Sequence, residues 1–347
     1  MGSSFDSFEQ SKLDGYVESS LHERNGAIKG FYAGFLGSNP YRAAWSKEAL
    51  GGTWTYTPTS FTQPMRFMLG NIGSKIIAGS GYWNPSLTTF ASYTSLGGLS
   101  YITDYPVRAA NGNYIAMAIE GISTFRQALS TNSGLSWSPI SFPGSASFLN
   151  CRALVKPDGR IILGGNNGGR PCIWRSDDHG VTWVVKNTSA SGIFSIVAAA
   201  TYYKGTRLWL LYEYGSAPFT VARFYSDNDG DSWTFVGSSG GYGQFGIAHV
   251  MPSGRVYLLG RAAISPLQGF TDNEGATVSP PNNGGLPAGG VFIDKSHVIW
   301  RIMTPFGSNA FVQRSFNEGS SFSFYQMFDT IESQCGNFFQ ANNYRVS

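Results

Sequence analysis

"SDDHGVTW" (residues 176–183) packs two adjacent acids, a glycine, a hydroxyl and a large aromatic into eight residues. An Asp at the third position can bond nearby backbone N–H groups, and glycine at the fifth takes a positive φ that other residues resist. The hydroxyl at the seventh ties off the turn, and the aromatic at the eighth turns inward. This is the chemistry of a clasp between two strands. It is not yet a site.

The same grammar returns at "STNSGLSW" (130–137), "SDNDGDSW" (226–233), "TDNEGATV" (271–278) and "SFNEGSSF" (315–322). Asn132, Asn228, Asn273 and Asn317 replace Asp178 at the third position, while Gly134, Gly180, Gly230, Gly275 and Gly319 hold the fifth. Trp137, Trp183 and Trp233 are the indole anchors. Weaker copies at "KEALGGTW" (47–54) and "TSLGGLSY" (94–101) keep the glycine, the hydroxyl and the aromatic. The anchors then fall 47, 36, 46, 50, 45 and 44 residues apart, a period that implies seven repeat units.

A second landmark runs in phase with the clasps. Upstream of them lie apolar runs broken by turn residues, as in "VRAANGNYIAMA", "ALVKPDGRIILGG", "HVMPSGRVYLLG" and "VFIDKSHVIWRI". Each reads as a β-hairpin. The unit is therefore strand, turn, strand, loop, strand, clasp, strand, one four-stranded antiparallel blade. The expected fold is all-β, a seven-bladed β-propeller over residues 26–347. The C-terminal "NFFQANNYRVS" restarts the repeat without finishing it, and so is expected to close the ring as the innermost strand of the first blade. Residues 1–25 fall outside the repeat and form an N-terminal arm or strap, with Phe5, Phe8, Leu13, Val17 and Leu21 on one side.

The clasps resemble the Asp-box, or BNR repeat, of sialidase-like β-propellers. That family acts through an arginine cluster, a Tyr nucleophile supported by Glu, and an Asp acid/base, so the resemblance implies a glycoside hydrolase as one reading. The family's early Arg-Ile-Pro motif has no counterpart here. Arg170, Arg261 and Arg301 are the arginines available to a cluster, and Tyr214 beside Glu213 is the available nucleophile pair. A glycosidase of the general type needs two facing carboxylates, and no spacing marks two of Asp104, Glu120, Glu213 and Glu332 as such a pair. The preferred reading has no catalytic residues.

Hairpin turns such as "KPDG" share one face of the ring with the clasps, and the opposite face carries longer, more varied loops where ligands are expected. "GSGYWNPSL" (79–87), "GGNNGGRP" (164–171), "EYGSAPF" (213–219) and "GSSGGYGQFG" (237–246) are rich in Tyr, Trp, Asn and Gly. Aromatic faces and amides suit a sugar. Tyr82, Trp83, Asn84, Asn166, Asn167, Arg170, Glu213, Tyr214 and Tyr242 are the ligand-binding candidates.

Lys and Arg number 24 against 21 Asp and Glu, a net charge of only +3 with no basic, aromatic-interleaved cluster, so nucleic-acid binding is not expected. No apolar stretch is long enough for a transmembrane helix, and the N-terminus lacks the pattern of a signal peptide. The histidines at 22, 179, 249 and 297 are scattered, Cys151, Cys172 and Cys335 lack metal spacing, and no metal or cofactor is expected. Calcium at Asp227, Asp229 and Asp231 is open, against a reading of solvated turn charges. The weakly charged Gly/Ser/Asn/aromatic composition resembles that of bacteriophage tail proteins. The expected function is thus a noncatalytic recognition or assembly propeller, a virion (phage tail) or extracellular protein that contacts surface glycan or other virion proteins. The alternative is the sialidase-like hydrolase.

Overall fold

The computed structural model describes strands between Gly30 and Phe338, with most connecting turns from Phe90 to Ser279, and side chains chiefly between Ile72 and Phe324. Residues 1–29 and 339–347, with the proposed N-terminal arm, lie outside the described residues. The chain is all-β among the described residues, in a β-propeller-like arrangement of antiparallel sheets.

Among the described residues seven sheets follow one another along the chain. The first orders Gln334–Phe338, Gly30–Phe35, Arg42–Ser46 and Trp54–Pro58, so the C-terminal strand pairs with the earliest strand, Tyr32 opposite Phe338. The second runs Gly70–Ile72, Lys75–Ile77, Gly81–Trp83, Phe90–Ser92. In the third, Leu99–Ile102 and Val107–Arg108 share the inner edge of Tyr114–Glu120, followed by Thr124–Ser130 and Ser138–Pro139. The fourth repeats this split, with Ala146–Ser147 and Leu154–Val155 against Ile161–Asn167, then Arg170–Ser176 and Val184–Asn187. The fifth is the most regular: Ile196–Lys204, Arg207–Tyr214, Thr220–Ser226, Thr234–Gly240. The sixth holds Phe245–Val250, Val256–Gly260 and Gln268–Thr271; the seventh holds Ala288–Ile293, Ile299–Met303, Asn309–Ser315 and Ser323–Ile331.

Among the described residues three sheets depart from the uniform four-stranded unit. Two sheets show five strands, with two short ones paired along the same edge. The sixth shows three among the described residues, with one further bridge between Phe270 and Ser279.

Alternation along each strand sends successive side chains to opposite neighbours. In the fifth sheet Leu208, Leu210 and Tyr212 join a core with Ile161, Leu163 and Trp174 of the fourth, whereas Trp209 and Leu211 join Val256 and Leu258 of the sixth. Both faces of these sheets are buried, which is why the second strands read as nearly unbroken apolar runs. Burying each such Leu or Ile contributes roughly 1.5–3 kcal/mol. Cys172 is a buried thiol in the first of these cores.

Candidate functional site

The five full clasps share one set of bonds. The first-position hydroxyl of Ser130, Ser176, Ser226, Thr271 or Ser315 accepts the N–H of the fifth-position glycine at 2.7–2.9 Å. It donates to the third-position Oδ1 at 2.8–3.1 Å. That oxygen also accepts the seventh-position N–H at 2.8–2.9 Å. Where the third residue is Asn, its Nδ2 donates to the seventh-position hydroxyl at 2.8–3.0 Å. At Asp178 the polarity reverses, and Thr182 Oγ1 donates to Oδ2 at 2.6 Å. Asp and Asn thus build the same turn with opposite proton direction. Burial opposes the Asp178 charge, but the bonds from Thr182 and Ser176 outweigh it and hold the carboxyl below its ordinary pKa.

Sequence reasoning missed the first position, although all five hydroxyls are buried. The signal was present, since every full copy begins with Ser or Thr. It also missed that the fourth residue is left-handed: Ser133, His179, Asp229, Glu274 and Glu318 have φ of 52–61°. The glycine that follows is needed twice over. Its φ is positive, and a methyl group on Gly230 would come within 2.5 Å of Ile173 Cδ1 of the preceding sheet. The clasp of each sheet therefore rests on the sheet before it. "TSLGGLSY" is corrected: residues 94–98 run beside the Trp137 clasp, with Trp137 N–H bonded to Ser95 O at 2.9 Å, and lead into the inner strand of the third sheet. It is a crossover between sheets. "KEALGGTW" does join two paired strands, Arg42–Ser46 and Trp54–Pro58.

Fourth-position acids reach backward to the preceding hairpin. Asp229 meets Lys156 at 2.8 Å, together with Arg160 and, from its own sheet, Tyr203. Glu274 meets Lys204, and Glu318 accepts from Ser253. Burial raises the Asp229 pKa less than the Lys156 and Tyr203 bonds and the Lys156 and Arg160 charges lower it. The three acids considered for calcium diverge: Asp227 pairs with Arg207, Asp229 with Lys156 and Arg160, Asp231 with Lys186 and Arg175. Hairpin turns and clasps do share one face, as the sequence implied.

On the opposite face the candidates separate. Asn166 points to the fifth sheet, donating to Tyr212 OH at 2.6 Å, and its Oδ1 caps the N–H of Gly169 at 2.7 Å. Asn167, one residue on, faces the other way: it accepts from Ser145 N–H at 3.0 Å and donates to Asn187 at 3.1 Å. Arg170 is opposite Asn167 in the ladder, shares that second face and is exposed. Tyr214 lies against the fourth sheet with its ring 6.2 Å from that of Tyr212, whereas Glu213 is buried on the side of the sixth. A Tyr nucleophile supported by the neighbouring Glu is thereby corrected, because the pleat puts them on opposite faces. Nor do the two amides share one pocket. Tyr82 and Trp83 are corrected from loop to strand; the Tyr82 ring is half-buried, 6.3 Å from Tyr93. Asn84, Tyr242 and Arg261 lie outside the described residues, and Arg301 is in the seventh sheet, remote in the chain order of sheets from Arg170 in the fourth. Glu120 pairs with Arg126 at 2.8 Å.

The structure also brings together two histidines that the sequence leaves 48 residues apart: His249 Nε2 lies 3.2 Å from His297 Nδ1. Among the described residues no group of three or more His, Cys, Asp or Glu is placed to hold a metal ion. No helix among them is long and apolar enough to cross a membrane.

No family model matches the chain, and no curated protein matches it in sequence. Its fold is similar to that of solved structures. With a candidate 6-phosphogluconolactonase from Bacteroides uniformis it shares 11% identity over 90% of this chain and 100% of that one, at a TM-score of 0.54. With a protein from Lactobacillus plantarum the figures are 12%, 90%, 99% and 0.53. A prolyl endopeptidase matches at 8% identity and a TM-score of 0.52, over 91% of this chain and 51% of that one. At these identities the likeness concerns the fold alone.

Proposed function

We propose that the seven sheets are the blades of one ring closed by the C-terminal strand, and that this ring is a noncatalytic recognition or assembly module. We infer a place in a bacteriophage virion, tail-associated or receptor-binding, with a surface glycan or a virion protein as the partner. The observation that carries the noncatalytic reading is the separation of Glu213 from Tyr214 by the pleat, with Asn166 and Asn167 each engaged in joining strands or sheets. The recognition reading is supported by the half-exposed Tyr214 at the loop end of its strand, packed toward the fourth sheet beside Tyr212, which in turn is bonded to Asn166. An aromatic held this rigidly offers a platform to the apolar face of a sugar at low entropic cost. The virion assignment is supported by composition alone.

The test is a glycan array with the full chain, followed by product analysis of each bound glycan. Binding that leaves the glycan intact and weakens in Tyr214→Ala supports the reading. Cleaved product overturns it in favour of the hydrolase, and silence across the array removes the glycan and leaves a protein partner, to be sought by deleting residues 1–25.

A further inference from the structure

Three hairpins joining the inner strand of a sheet to the next follow one rule. In each, a backbone bond closes the turn, from Ala109 N–H to Asn113 O, Lys156 N–H to Arg160 O and Met251 N–H to Arg255 O, at 2.7–2.8 Å. The residue two before the first core position of the second strand (Tyr114, Ile161, Val256) is Gly112, Gly159 or Gly254, with φ of 86–90°. The seventh sheet breaks the rule. Two residues before Ile299 stands His297, with φ of 58°. An imidazole thus occupies a left-handed position that the sibling turns reserve for glycine, at a cost in backbone strain that a side chain elsewhere in the turn would avoid.

What the side chain gains is a second departure from the repeat. Five residues before the glycine, the sibling hairpins carry Val107 and Leu154; the sixth sheet carries His249, on the inner strand and almost fully buried. The two exceptions lie in neighbouring sheets and meet, Nε2 of His249 to Nδ1 of His297 at 3.2 Å. Strain held in place by its surroundings is a pointer to function.

We propose that His249 and His297 form a two-imidazole site for a divalent transition metal ion, pinning the sixth sheet to the seventh. Two imidazole nitrogens on one tetrahedral Zn2+, each about 2.0–2.1 Å from the metal, stand about 3.3 Å apart, so the observed separation fits both lone pairs directed at a shared ion. Imidazole selects Zn2+, Cu2+ and Ni2+ over Mg2+ and Ca2+. Without metal the two facing nitrogens share one proton on the line between them, whereas the ion sits off that line. When metal binds, that proton moves to the outer nitrogen of its own ring, leaving both facing nitrogens unprotonated with no net proton release. Water completes the coordination on the side of His297, which is only half-buried.

The test uses the full chain, with Co2+ titrated by visible absorption and Zn2+ by its effect on Tm. One equivalent of Co2+ is expected to bind, and Zn2+ to raise Tm saturably. His297→Gly restores the turn that the sibling hairpins use and so keeps the fold; it is expected to bind at least about tenfold more weakly, since even changes outside the ligand set cost that much. His249→Leu restores the other sibling residue and is expected to behave alike. A wild-type chain whose Tm ignores Zn2+ and which gives no Co2+ band overturns the proposal, as does a His297→Gly chain that binds as tightly as the wild type.

Discussion

The clasp ends and the loop ends of the sheets obey different rules. On the clasp face, five turns close with the same bond from a glycine N–H to a buried hydroxyl, and ion pairs such as Lys156–Asp229 and Lys204–Glu274 run from one sheet to the next. On the opposite face the hairpins of the fourth and fifth sheets end differently: Asn166 and Asn167 brace the fourth, while the Tyr212 and Tyr214 rings pack together in the fifth. The difference teaches where specificity can reside. A position that must recur in every unit is constrained by the scaffold, and only positions exempt from the repeat are free to differ for a ligand.

The comparison can be broken most forcefully at the anchors. Trp137→Ala, which empties a fully buried site, is expected to lose about 3–5 kcal/mol in urea unfolding. A loss below about 1 kcal/mol would make the clasp aromatics dispensable. Next come two glycines with positive φ on opposite faces. Gly230→Ala adds a clash with Ile173 to its backbone strain and is expected to cost about 2–4 kcal/mol, whereas Gly168→Ala meets nothing within 4 Å and costs about 1–2 kcal/mol, strain alone. Equal losses would show that contact between sheets does not select the clasp glycine.

Asp229→Asn sharpens the electrostatic half of the contrast, with an expected loss of about 1–3 kcal/mol at neutral pH as Lys156 and Arg160 lose their shared partner. The folded-state pKa of Asp229 lies below its ordinary value. Its contribution is therefore complete above the unfolded carboxylate pKa of about 3.9 and is lost as pH falls through the folded value. Wild type and variant should converge in acid; a gap that persists to the lowest pH at which the chain folds would assign the effect to packing. The smallest effects are the most discriminating. Asp178→Asn adopts the bonding of the four Asn clasps and should stay within about 0.5 kcal/mol of wild type at neutral pH while losing its own acid-dependent contribution. Arg170→Ala, exposed on the loop face, should be equally neutral in stability.

The clasps were legible because their chemistry is local. Every bond in one spans four residues or fewer, so spacing along the chain is also spacing in space. The hairpin turns were legible for the same reason. "TSLGGLSY" shows the limit of that reasoning: it has a clasp's glycine and hydroxyl, yet Thr94 and Ser95 bond to Leu135 and Trp137, partners some forty residues away that choose a different path. The loop-face candidates that are described point in different directions for a geometric reason. Side chains one residue apart on a strand face different sheets, so the proximity in sequence of Glu213 to Tyr214, and of Asn166 to Asn167, became separation in the fold.

By itself the sequence determined the repeating unit, the clasp, its turn residues and the return of the C-terminal strand to the first sheet, because each depends on local bonding or on the period of apolar runs. Tertiary structure decided which face each candidate side chain occupies, which glycines also serve as contacts between sheets, and that His249 meets His297. Those outcomes depend on how one sheet stacks on the next, and no spacing within a single unit encodes that relation.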